Sequence, residues 1–323
     1  MERILITGAN GFVGRHLLRH LQIEMPGTHL TGLVRPEELA SAKRWSAQGS
    51  SNQISWNCAD ISDTTSVTSA VQLAQPNAIV HLAARASGAD ADSAAVFRTN
   101  VDGSRNILQA AASLHSCARV LMISSGYVYG SSAPEHPSIE SDALAPPGKF
   151  GCYTDSKAKM EAVCTEFSGL AIIARPFSHT GPGQAAAFAI PAFAKQIAEI
   201  EAGLLPPVVH VGNLEALRDM LHVKDVVHAY SALLKAAVPG QTYNVATGKP
   251  ATMRSMLEAL CARSTVNVRI ELDLGRLRPS DIACSTGAPQ KIRDTVGWRA
   301  LLSTEDALAD TLSYWRGVVG NNE

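Results

Sequence analysis

Apolar positions along the chain fall in short blocks with changing period. Residues 3–7 are a run of mostly branched apolar side chains, and residues 8–14 form a glycine-spaced turn. Phe12, Val13, Leu17, Leu18 and Leu21 then recur with a helical period that predicts a helix over 12–24. The same unit returns less tidily, with strands expected at 30–34, 54–58, 78–82, 119–124 and 170–174 and helices at 64–74, 91–113 and 153–167. Runs such as IVHL and VLMIS are apolar on both sides, as strands covered by helices on both faces must be. Pro134, Pro137, Pro146 and Pro147 punctuate a loop between the strand ending at Ser124 and the helix near Tyr153. The expected fold class is α/β, a Rossmann-type doubly wound parallel sheet.

After Arg175 the texture changes. An Ala-rich helix is expected at 187–203, and short strands around 208–211, 242–245 and 267–271 alternate with helices at 224–237, 252–261 and 304–316. This predicts a first domain over 1–174 and a smaller mixed α/β lobe, mainly 175–323, interleaved with it. Residues 224–245 are expected to return to the first sheet.

Composition narrows the classes. With 323 residues and 46% hydrophobic side chains the chain has ample apolar surface for two domains or one two-lobed unit. Its 28 Lys+Arg against 29 Asp+Glu give a net charge of −1, without the field that would hold nucleic acid or an anionic membrane. No apolar run reaches the roughly 18 residues of a membrane span, and the N-terminus lacks a signal peptide's features, so a cytoplasmic protein is expected. The six Cys never form a short pair, which points to free thiols and no metal site.

Between the first strand and helix, GANGFVG places Gly8, Gly11 and Gly14 where a dinucleotide pyrophosphate is bound. Gly8 would allow the turn, Gly11 close approach of a phosphate, and Gly14 tight packing of helix on strand. Asn10, Phe12 and Val13 complete that loop. The second strand ends in Arg35, with no acidic residue at the place that meets the adenosine ribose of NAD, which favours a 2′-phosphate and hence NADP(H) over NAD(H). An ordinary surface charge is the alternative for Arg35. Asp60, with Ile61 beside it, is a candidate for the adenine amine, or else a helix cap. Leu82, Ala83 and Ala84 would face the cofactor through their backbone.

Tyr153 and Lys157 stand four apart and share a helix face. Lys157 would ease ionisation of the phenol and hold a ribose hydroxyl, while Tyr153 donates a proton to a carbonyl oxygen as hydride reaches its carbon. Ser125, where the LMISS strand ends, would hydrogen bond the same oxygen.

With GANGFVG, HLAA, TNVDGSRN, ISSGYVYG and YTDSK the chain resembles the extended short-chain dehydrogenases/reductases. RPFSHTGPGQ, VGNLEALRDMLHVKDVVHAY, YNVATG and RLRPSDI make it similar, within that family, to the GDP-4-dehydro-6-deoxy-D-mannose reductases. The resemblance implies NAD(P)H-dependent reduction of the C4 ketone of a GDP-linked 4-keto-6-deoxy sugar to GDP-D-rhamnose, a precursor of surface polysaccharide such as lipopolysaccharide. It also implies a homodimer in which the helices at 91–113 and 153–167 pair with their mates. Ser125, Tyr153 and Lys157 would be the catalytic group, Asn100 its support, and Arg218 and Arg278 contacts of the diphosphate, with an ion pair as the alternative for each arginine. Ser87, Gly126, Tyr127, Ser178, His179, Val211 and Asn213 would complete the substrate side. Ser178 replaces the Asn usual in the family, and Tyr127 replaces a polar or acidic residue, where it either selects the sugar or packs on its loop. His179 fits bonding of its own loop better than acid catalysis.

Three other functions are weighed. A dehydratase needs an acid and base pair after the strand-end hydroxyl residue, and Gly126 and Tyr127 are no such pair. A nucleotide-sugar 4-epimerase, or a reductase making a related GDP-6-deoxy-hexose or heptose, stays open. A dinucleotide-binding scaffold would have no need of Ser125, Tyr153 and Lys157 together.

Overall fold

A computed structural model describes residues 2–48, 54–85, 92–277 and 282–320. The first half runs β1 (Arg3–Thr7), α1 (Phe12–Glu24), β2 (His29–Val34), α2 (Leu39–Ala47), β3 (Ile54–Cys58), α3 (Thr64–Ala74), β4 (Ala78–His81), α4 (Ser93–Phe97), α5 (Gly103–Ala112), β5 (Arg119–Ile123), α6 (Cys152–Thr165) and β6 (Ala171–Pro176). The second continues with β7 (Ser178–Thr180), α7 (Ala189–Glu201), β8 (Val208–Val211), β9 (Leu217–His222), α8 (Val223–Ala236), β10 (Thr242–Val245), β11 (Pro250–Thr252), α9 (Met253–Cys261), β12 (Arg269–Leu272), β13 (Cys284–Ser285), α10 (Gln290–Val296) and α11 (Thr304–Gly320).

Seven strands form one sheet in the order β10-β6-β5-β4-β1-β2-β3, and every pairing is parallel. The doubly wound sheet read from the sequence is present. Period-two alternation divides its side chains: Ile4 and Ile6 of β1 join Leu17, Leu21, Tyr230 and Leu233 of α1 and α8 on one face, and Leu5 joins Val67, Ile107 and Met160 of α3, α5 and α6 on the other. The chain reverses direction across the sheet between β1 and β4, which opens a crevice at their carboxyl ends. Helix α8 packs on α1 and β5, and β10 pairs with β6, so 223–245 lies on this large sheet.

The smaller lobe holds β9 paired with β7, β11 and β13, a separate β8–β12 pair, and a layer of α7, α9 and α11. Ile197, Met220, Leu257 and Leu312 are among its core. Two sequence expectations need correction. The helix expected over 91–113 is α4 and α5 joined by a π turn at Arg98–Asp102, and residue 91 lies outside the described residues. A π turn adds one residue to the helical circuit and rotates what it carries, here Asn100. The elements α2, β7, β9, β11, β13 and α10 were not anticipated.

Candidate active site

The glycine loop is set by contact. Gly8 has φ +63°, and a Cβ there would lie 2.9 Å from the Ala83 amide nitrogen. A Cβ on Gly14 would come within 2.5 Å of the Gly8 carbonyl oxygen, so α1 can approach β1 only with glycine. Gly11 is different: it is exposed, and a Cβ there would meet only the Gly8 oxygen, at 3.2 Å. It precedes α1 as an extended residue without a side-chain cap, and the first turn carries no acidic residue. First-turn amides lack intrahelical acceptors, so an open, anion-free helix start fits a pyrophosphate.

Neighbouring side chains brace this loop. Asn10 donates through Nδ2 to Ser41 Oγ (2.9 Å) and accepts at Oδ1 from Arg15 Nη2 (2.8 Å). Phe12 stacks on His179 with centroids 6.2 Å apart, and Val13 packs against the core. Arg35 is exposed and ion-paired with Glu37 (3.0 Å) and Glu38 (2.9 Å). Asp60 accepts from the amide and hydroxyl of Ser62, which hold its carboxyl below the usual range; the cap of α3 is Asp63. Ile61 is buried beside Gly103.

A relay of hydrogen bonds ties the cofactor-side strand ends together. The Ala83 amide donates to Thr7 Oγ1 (3.1 Å), and Ser104 Oγ donates to the Asn100 carbonyl (2.7 Å). Thr7 Oγ1 lies 2.8 Å from His81 Nδ1, and Ser104 Oγ lies 3.0 Å from His81 Nε2. The Ser104 hydroxyl proton is already committed, so Nε2 carries the imidazole proton and Nδ1 accepts from Thr7. Burial, with a smaller contribution from Lys157, lowers His81 to about 3, so the ring is neutral. Leu82 is half-buried and Ala84 exposed along the same edge. The Asn100 side chain accepts from the Arg85 amide (2.7 Å) and donates to the Arg85 carbonyl (3.0 Å) and Ser156 Oγ (2.9 Å), joining the π turn to α6.

Ser125, Tyr153 and Lys157 converge at the end of β5. Ser125 Oγ accepts from the Tyr127 amide (3.2 Å) and lies near the Tyr153 phenol. Burial pushes that phenol up to about 12, Ser125 pulls it down and Tyr127 raises it. Lys157 Nζ donates to the Ile123 carbonyl at 2.6 Å. Burial lowers that ammonium to about 8. The site therefore holds a protonated phenol, a donor rather than a ready-made base.

Next to Ser125, Gly126 has no room for a side chain: its Cβ would lie 2.8 Å from the Phe177 ring. Gly287 presses the same ring from elsewhere, and Tyr129 stacks on it at 6.2 Å. Arg218 is buried, donates to the Leu217 carbonyl (2.8 Å) and sits 5.9 Å from the Tyr127 ring. Ser178 and His179 are half-buried in β7, where His179 Nδ1 lies 3.0 Å from the Phe177 carbonyl. Val211 belongs to the lobe's core, and Asn213 Oδ1 accepts from the Glu215 amide (2.9 Å). Ser87 and Arg278 lie outside the described residues. Sequence reasoning missed Phe177, Glu161 and Arg175; of these, only Glu161 carries a signal, its place one turn after Lys157 on the same helix.

Comparisons with known proteins agree with the fold. A family model described as GDP-mannose 4,6 dehydratase matches residues 5–311. GDP-6-deoxy-D-mannose reductase of Pseudomonas aeruginosa is 30% identical, over 98% of each chain. GDP-6-deoxy-D-talose 4-dehydrogenase of Aggregatibacter actinomycetemcomitans is 26% identical, over 91% of each. The solved structure of RMD from Pseudomonas aeruginosa complexed with NADPH superposes with a TM-score of 0.80 at 29% identity, covering 98% of this chain and all of that one.

Proposed function

We propose, since the chain belongs to the family described as GDP-mannose 4,6 dehydratase, that it is the reductase of that family: it reduces the C4 ketone of GDP-4-dehydro-6-deoxy-D-mannose to GDP-D-rhamnose. The observation that carries this reading over dehydration is the closed contact of Gly126 with Phe177. It leaves no space for a carboxylate at the first position after Ser125, and Tyr127 at the next has no acid to offer. What remains is a serine hydroxyl beside a protonated phenol.

NADPH, bound along Gly8, Gly11 and Gly14, would supply the hydride; NADH is the weaker donor on this reading. The residues do the rest. Ser125 holds the ketone oxygen, Tyr153 protonates it, and Lys157 stabilises the phenolate left behind and meets a ribose hydroxyl. Arg35 releases Glu37 or Glu38 to take the 2′-phosphate, and Asp60 takes the adenine amine. Arg218 and Arg278 clamp the GDP diphosphate, with Ser87, Tyr127, Ser178, His179 and Asn213 around the sugar. The relatives' names carry the choice of GDP and of the 6-deoxy sugar. Residues 1–174 with 224–245 form the cofactor domain and the rest the sugar lobe. A homodimer paired through α4–α5 and α6, at work in the cytoplasm on precursors of surface polysaccharide, completes the reading. Among the described residues no helix is long and apolar enough to cross a membrane.

The test is incubation with NADPH and the 4-keto sugar, followed by assignment of the product's configuration. Stoichiometric NADPH loss with GDP-D-rhamnose supports the proposal. The talo product moves the assignment to the C4 epimer, and sugar interconversion without net NADPH loss makes the protein an epimerase.

A further inference from the structure

Behind the site lies a buried network that the proposed chemistry does not itself use. Glu161 follows Lys157 by one turn of α6, and both are buried. Glu161 Oε1 accepts from Ser124 Oγ (2.5 Å) and Arg175 Nε (2.9 Å), and Oε2 accepts from Arg175 Nη2 (2.6 Å). Arg175 Nη1 donates to the Tyr129 hydroxyl (2.6 Å), which donates to Asn244 Oδ1 (2.8 Å). One helix thus grips consecutive residues at the end of β5: Lys157 holds the Ile123 carbonyl, Glu161 holds the Ser124 hydroxyl, and Ser125 comes next.

We propose that Glu161 is a positioning residue of the reaction, which fixes the strand end presenting Ser125 and keeps the Lys157 side chain an ammonium. It touches neither sugar nor cofactor. The proposal rests on the reductase reading for its kinetic readout alone.

The surroundings of Lys157 single Glu161 out. Burial lowers its ammonium, while Cys164 and Glu161 raise it. Burial pushes Cys164 itself up to about 12, so its thiol is neutral where Lys157 titrates, and Glu161 is the anion that acts. From β4 comes the neutral imidazole of His81, from the turn after Ser125 the phenols of Tyr127 and Tyr129, and from α6 the phenol of Tyr153. Arg175 of β6 lies behind Glu161 and is ion-paired with it, and Arg105 of α5 pairs with Glu166 at the exposed end. Removal of the one carboxylate a turn away leaves burial of the ammonium without its counter-charge.

The experiment follows the lysine side-chain carbon resonance that disappears in Lys157→Met, titrated in the full-length protein without substrate. Glu161→Gln should lower its midpoint by about one pH unit and move the high-pH limb of kcat with it, with NADPH affinity within about twofold. Arg175 then lacks its partner, so a second protein, Glu161→Gln with Arg175→Met, removes both charges and should keep the lowered midpoint. Ser124→Ala retains the ion pair and hence the fold; it should lose about tenfold in kcat with little change in KM for the sugar. A wild-type midpoint in the folded glutamine variants, or full kcat in Ser124→Ala, overturns the proposal. If the wild type turns over no 4-keto sugar, the reductase reading falls alone, since the resonance titrates regardless.

Discussion

A phenol that protonates a ketone must keep its proton until hydride arrives, and burial of Tyr153 does this by holding it up to about 12. Tyr153→Phe should lower kcat by roughly 10²–10⁴-fold, with NADPH affinity unchanged. On the proposed reading, the titration that limits the wild type belongs to Lys157. Its folded value of about 8 leaves the ammonium intact below that pH and lost above it. Reduction should therefore hold a plateau at lower pH and decline above about 8, where Tyr153 is still protonated; a decline only near 12 would assign the limb to Tyr153. His81 makes the complementary statement about stability. Its folded value, about 3, lies below the ordinary 6.5, so the unfolded chain binds the extra proton between the two. Its contribution is full above about 6.5 and falls by up to about 1.4 kcal/mol per pH unit as acid is added. Denaturant midpoints of wild type and His81→Asn, compared from pH 7 to about pH 5, should show the steeper loss in wild type.

The elements show which contacts force which residues. Gly11 and Gly14 look equivalent in GANGFVG but have different surroundings. Gly14→Ala drives a methyl into the Gly8 carbonyl and should destabilise the protein by roughly 1–3 kcal/mol. Gly11→Ala meets little, so the protein should keep its melting temperature and lose NADPH affinity, read by fluorescence titration. The repeated strand-helix units were legible because most of their strands are largely apolar and their helices amphipathic: α1, α3, β3, β8 and β10 lie where the sequence places them. LRDMLH was not legible as a strand, since the charged pair Arg218 and Asp219 interrupts its apolar run, yet both are buried with partners. The three residues of β7 and the two of β13 are too few for any period to declare. The π turn is set by side-chain bonds of Asn100 that no pattern of apolar residues encodes. The glycine loop and the Ser, Tyr and Lys set were readable from motif and spacing, whereas Phe177 was not, because its role rests on Gly126 and Gly287 pressing it from distant parts of the chain.

Over the whole molecule, the question is how two lobes built from interleaved segments keep a fixed relation across a shared crevice. Asp219 in β9 is fully buried, at the meeting of three segments. Its Oδ1 accepts from the Thr247 amide (2.9 Å) and hydroxyl (2.6 Å), and Oδ2 accepts from the Gly248 amide (2.8 Å), where the chain leaves the large sheet after β10. A Cβ on Gly248 would lie 3.7 Å from the Gly287 carbonyl oxygen, just past β13, and Gly287 presses Phe177, which in turn closes on Gly126 beside Ser125. One carboxylate therefore ties β9 of the smaller lobe to the chain leaving the large sheet, while among the described residues the glycine loop makes no hydrogen bond to it. Asp219→Asn turns one acceptor into a donor facing amide N–H groups, and each charge-assisted bond lost costs roughly 1.5–3 kcal/mol. The melting temperature should fall, and in the protein that stays folded KM for the GDP-sugar should rise about tenfold, equivalent to about 1.4 kcal/mol, with NADPH affinity unaltered. An equal loss of affinity for both ligands would mean that Asp219 supports the fold as a whole and not the register of one lobe on the other.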